Sequence, residues 1–152
     1  MTEHDKASLV AALSALETER GVYAQILELA RKGRELAAAS RGEDLLRVLA
    51  EKGRLSEQAA AAGERSRELK AGWNELAGKL DPAERERGRR LIEEVRDLLG
   101  KIITEDDQCQ KLLASRRDGA LEEMLKVQQG RRVHQAYGRK SPPSPHFKDE
   151  KK

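Results

Sequence analysis

The sequence predicts an all-α fold: an elongated antiparallel three-helix bundle or coiled coil with a long third helix projecting beyond the bundle. Three observations carry this reading. With 38% charged and 38% hydrophobic residues, and only one Phe, two Tyr and one Trp, the chain has little bulky apolar material for a thick core. Ala, Leu, Glu, Arg and Lys dominate instead, the composition of long helices packed along narrow seams. Apolar residues recur at three- and four-residue steps, and this pattern is interrupted decisively at Ser40-Arg41-Gly42 and again at Asp81-Pro82. A chain of 152 residues fits one domain, read here as residues 1–137 with a tail at 138–152.

The first helix is expected over about residues 6–39. Its stripe reads Leu9, Leu13, Leu16, Tyr23, Leu27, Ala30 and Ala37, widened by Val10, Ile26 and Leu36. Ser40 and Gly42 supply the turn, and Glu43 and Asp44 then place acidic charge in the next first turn, where the helix dipole favours it. The second helix is expected over about residues 43–80, through Leu45, Leu49, Leu55, Ala59, Ala62, Leu69, Trp73, Leu76 and Leu80. Only Ala is available for core contact between Ser56 and Ser66, so two helices can approach closely there. Trp73 is expected to seal one end of the bundle. Each of these helices is roughly 50 Å long, and connections this short imply antiparallel neighbours.

Asp81, Pro82 and Glu84 form a strong helix start. From there the third helix is expected over about residues 82–137, with a stripe of Leu91, Val95, Leu98, Ile102, Cys109, Leu113, Ala120, Met124 and Val127. At 1.5 Å per residue it runs for about 80 Å, so matching lengths put the top of the bundle near residues 115–118. Leu121, Met124, Leu125 and Val127 then form an amphipathic patch without an internal partner, which usually marks a binding surface. The other arrangement open to this segment is a bend near Gly119 that returns it to the bundle. The run Glu105-Asp106-Asp107 interrupts the stripe and reads as a solvated face or as a partner for Arg20 or Arg34. From Gly138 onwards, three prolines and basic side chains predict a disordered tail.

Charge is unevenly placed: net zero over residues 1–80, −2 over 81–130 and +5 over 131–152. The basic balance therefore belongs to the tail, and nucleic acid is an unlikely partner because the body has no basic face. No apolar run reaches the roughly 18 residues of a membrane span, and the first residues lack a signal-peptide pattern, so cytoplasmic residence without membrane insertion is expected. The single Cys109 lies on an apolar stripe and is expected to act as a small core residue. His4, His134 and His146 show no ligand spacing, no glycine-rich phosphate loop follows a strand, and the carboxylates alternate with Arg and Lys as in Glu84-Arg85-Glu86-Arg87. No enzyme activity, metal or cofactor is expected.

Beyond these patterns the chain resembles a family. The leading helix carries Leu16-Glu17-x-Glu19 … Tyr23-x-x-Ile26-Leu27-x-Leu29-Ala30, then Lys32 and Leu36; the loop Arg41-Gly42-Glu43-Asp44-Leu45 follows; and the third helix ends in Arg131 … Ala136-Tyr137-Gly138. Over roughly residues 9–138 this resembles the FlgN-type flagellar export chaperones, small cytoplasmic α-helical proteins of bacteria. The second helix departs from that family in being rich in Ala and Gly. The resemblance implies binding of hook–filament junction proteins and their delivery to the export gate of the flagellar type III secretion apparatus. It implies that Leu121, Met124, Leu125 and Val127 contact amphipathic helices of the client, and that Tyr137 serves in docking at the gate. The alternatives are a structural or adaptor coiled-coil protein that homodimerises through its third helix and, more remotely, a basic-tailed nucleic-acid accessory factor.

Overall fold

The computed structural model describes residues 3–116 and 125–128. Among them every regular element is helical: α1 (Glu3–Ala38), α2 (Gly42–Ala71), the single turn α3 (Trp73–Leu76), a 3-10 turn (Ala77–Lys79) and α4 (Pro82–Arg116). Residues 125–128 are also helical. α1 packs closely along both α2 and α4, whereas α2 and α4 make hardly any close backbone approach to each other. The all-α, helix-on-helix reading therefore holds, with α1 as the helix that the other two share.

The main core follows from the stripe spacing. Leu13, Leu16, Tyr23, Ile26 and Leu27 of α1 are buried with Leu55, Ala59 and Leu69 of α2 and with Leu91, Val95 and Ile102 of α4. Where α2 has only Ala and Ser, the helices come close, and Ala59 and Ala62 are completely buried. Ion pairs show the register. Lys6 bonds Asp81 at 3.1 Å, Arg20 lies 3.6 Å from Glu94 and Arg34 reaches Glu105 at 2.5 Å, so α1 and α4 run in the same direction. The Asp81 carboxylate thus takes a lysine of α1.

The α1–α2 turn closes in a way the residue types did not announce. Ser40, and not Gly42, is the residue in the left-handed region, with φ 59°. The Arg41 amide donates to the Leu36 carbonyl at 2.9 Å and the Ser40 amide to that of Ala37 at 3.2 Å, the bond pair of a Schellman cap. Gly42 instead opens α2. The expected second helix to residue 80 is also corrected: α2 stops at Gly72, whose amide donates to the Glu68 carbonyl at 3.0 Å, and the chain steps through α3 and the 3-10 turn. The break swings Trp73 onto α4. A β-carbon on Gly88 would lie 2.8 Å from Trp73 Cζ3 and 3.1 Å from Leu13 Cδ1. Gly88 is thus a seat for the indole, and the half-buried Trp73 packs against the main core.

These two positions respond oppositely to substitution. Gly88→Ala should lower stability by about 1–3 kcal/mol, because the indole must leave its seat. Ser40→Gly should raise stability by about 0.5–1 kcal/mol by relieving a left-handed conformation. Urea unfolding followed by circular dichroism measures both.

Candidate functional site

A second, smaller apolar cluster lies at the end of the molecule where α1 stops and α2 begins. Ala37, Leu45, Leu49, Cys109 and Leu113 form it with Leu125, and half-buried Leu36, Leu46 and Leu112 pack against it. These residues reach one another because α1, α2 and α4 all present a stripe position there, one turn from their ends. The Cys109 thiol contacts the Gly33 carbonyl oxygen at 3.7 Å. Burial pushes its pKa up to about 11; Asp106 adds to the rise and Lys52 opposes it. The thiol is accordingly protonated at neutral pH and serves as a small packing group.

Leu125 changes the reading of the C-terminal segment. It is completely buried in this cluster, so the stripe expected to project without an internal partner has one at this position. The physical reason is the end of the bundle itself. Ala37, Leu45 and Leu113 offer apolar surface there, and burying one leucine side chain against them gains about 1.5–3 kcal/mol. Val127, two residues on, points the other way and is 55% exposed, one of two large hydrophobic side chains left in solvent among the described residues; the other is Ile103. Lys126 is exposed as well. Of the five residues assigned to partner binding, the structure therefore separates Leu125 from Val127. Leu121, Met124 and Tyr137, together with Gly119 and the tail at 138–152, lie outside the described residues.

Two buried charge clusters stand on the stripes, and the periodicity reading passed over them. Glu19 of α1 is fully buried; Lys70 Nζ donates to both its carboxylate oxygens at 2.9 Å, and Ser66 Oγ donates to Oε1 at 3.0 Å. A β-carbon on Gly63 would come within 3.2 Å of Glu19 Oε2, so a glycine there leaves room for the carboxylate. Near the small cluster, Lys52 Nζ of α2 donates to Asp106 Oδ1 of α4 at 2.5 Å, both side chains nearly buried. Within Glu105-Asp106-Asp107, only Asp107 is exposed: Glu105 pairs with Arg34, and Asp106 faces the interior. A signal was available, since Glu19 lies three residues after Leu16 and four before Tyr23, and Asp106 four after Ile102 and three before Cys109. Each occupies a core-facing step of its stripe.

These clusters have the make-up of internal ties: each carboxylate is matched by a lysine from another helix. Among the described residues, no group of three or more His, Cys, Asp or Glu could hold a metal ion, and no helix is long and apolar enough to cross a membrane. A groove of about 500 Å³ between the start of α1 and the end of α2 is lined by charges of both signs, including Asp5, Glu64, Arg65 and Lys79, around Leu9 and Leu76. Comparison of the sequence with protein-family models and with curated proteins, and with solved structures, finds no match.

Removing one member of a buried pair leaves a desolvated charge, whereas removing both does not. Lys52→Met should therefore cost about 3–5 kcal/mol, and the double variant Lys52→Met/Asp106→Leu should recover most of that loss. Denaturant unfolding of the three proteins decides it; equal losses in the single and double variants would show that the pair is not an internal tie.

Proposed function

We propose that the chain is a protein-binding helical bundle and, within that class, a cytoplasmic export chaperone of the FlgN type. It would hold hook–filament junction proteins and hand them to the flagellar type III secretion apparatus. The observation that carries the binding reading is Val127, a large apolar side chain turned to solvent beside the small end cluster. An exposed apolar side chain on an amphipathic helical segment is surface that a partner helix can bury on docking. The export role rests on the resemblance of residues 9–138 to that family, with its Tyr137-Gly138 ending.

The three-helix body acts in this reading as a rigid platform, and the C-terminal segment supplies the contact surface through Leu121, Met124 and Val127. Leu125 belongs to the inner side of the same segment. A client held in this way has its apolar helix face shielded from aggregation, and the ordering of both partners keeps affinity moderate enough for release. Tyr137 remains the candidate for docking at the export gate.

The homodimeric coiled-coil reading has one observation of its own, Ile103, 49% exposed along α4. The two readings separate in one experiment. A purified hook–filament junction protein is titrated with the wild-type chain and with Val127→Glu, while light scattering follows the mass of the free chain. The export-chaperone reading expects the variant to bind at least about fivefold more weakly, the equivalent of roughly 1 kcal/mol, with an unchanged melting temperature and unchanged mass. Equal binding of both forms contradicts the role of Val127. A free dimer that Ile103→Glu dissociates, with no junction protein bound, favours the structural reading.

A further inference from the structure

Independently of any export role, we propose that the furrow between α2 and α4, on the side away from α1, is a docking site for the chain's own residues 129–137. The furrow is defined by two ion pairs. Glu105 of α4 pairs with Arg34 of α1 and Asp106 with Lys52 of α2, so the face of α4 beyond Asp106 looks away from α1. Leu99 and Ile103 lie on that face, seven and three residues before Asp106, with Ile92 a further seven back from Leu99. Ile92 and Leu99 are half-buried and Ile103 is exposed, whereas Leu91, Val95 and Ile102, nearer α1, are buried. On α2 the stripe continues from Leu49 with small residues only, Gly53, Ser56 and Ala60. Backbone packing does not close the gap, since α2 and α4 scarcely approach each other.

Continuity, length and charge name the occupant. Leu125 is buried in one cluster with Cys109 and Leu113, although an unbroken α4 would carry it about 18 Å past Leu113. The chain has therefore turned back by Leu125. That cluster takes Leu49 from α2 and Cys109 and Leu113 from α4, so Leu125 stands at the mouth of the furrow that these two helices form. Nine residues of helix rise about 14 Å, close to the rise from Cys109 back to Leu99, and Pro142, Pro143 and Pro145 stop a helix soon after. Residues 129–137 carry Arg131 and Arg132 and no carboxylate, while exposed Glu57 and Asp107 stand beside Ser56 and Asp106 on the two edges. Attachment at Leu125 gives this segment a local concentration of about millimolar, an advantage that no separate chain has.

Spin-label distances in the full-length chain test the docking. Nitroxides are placed on Ala61→Cys, an exposed position of α2, and on Gln135→Cys, with Cys109→Ala to leave no other thiol. A segment lying in the furrow puts the two labels on neighbouring helices at nearly one level, under about 25 Å apart. A segment that instead runs outward from the end cluster puts them at least about 30 Å apart, which overturns the proposal. An equal mixture of the two singly labelled chains should show no short distance. A short distance in that mixture also overturns the proposal and gives the furrow to a second copy. In the wild-type chain, the amides of residues 131–137 should exchange at least about tenfold more slowly than in a free peptide of the same sequence. Exchange at the peptide rate overturns the docking without reliance on any variant.

Discussion

α1 has to present apolar surface to two neighbours at once, and the rest of the structure depends on how it does so. Leu13, Leu16, Tyr23, Ile26 and Leu27 give it a stripe wide enough to cover α2 on one side and α4 on the other. Because α2 and α4 scarcely approach each other, their positions are fixed separately, each by its own registration against α1. Apolar seams of Leu and Ala tolerate sliding by a turn. Charges on the seam do not, since a one-turn slip would strand Glu19 away from Lys70 and Ser66 in a desolvated position. The Lys52–Asp106 pair adds the cross-tie between α2 and α4 that backbone packing does not supply.

How much of this was legible in the sequence follows from what each signal measures. Periodicity reports which side of a helix is apolar, and it located all three long helices and the seam of Leu91, Val95, Ile102 and Cys109. It does not report where one helix ends against another. The second helix was read through Gly72 because Trp73, Leu76 and Leu80 continue the spacing, yet the helix breaks there and the indole packs over Gly88. The turn at Ser40 was placed correctly, but the left-handed residue was not the glycine: the Schellman bonds form two residues before it. The run Glu105-Asp106-Asp107 was read as a solvated face or as a partner for Arg20 or Arg34, and the structure shows the Arg34–Glu105 pair, whereas the inward positions of Asp106 and Glu19 were not foreseen because periodicity counts charged residues as interruptions. The partners of Glu19 and Asp106, Lys70 and Lys52, lie 51 and 54 residues away, and only the folded register brings them together.

The C-terminal segment shows the same limit of length arithmetic. Counting residues showed that α4 reaches the end of the bundle near Arg116. It could not show that an apolar cluster at that end takes in a residue of the segment beyond. Leu125 is buried there, whereas Val127, on the same amphipathic segment, remains in solvent. One short turn thus divides into a buried residue that belongs to the fold and an exposed one.

Amide hydrogen exchange of the full chain, with and without a purified hook–filament junction protein, tests the central claim most directly. The account predicts that added protection is confined to the end cluster and the segment beyond it, about residues 36–49 and 109–128, with the main core of α1, α2 and α4 unchanged. Protection spread along α4 around Ile103, or none at any position under saturating partner, would contradict it.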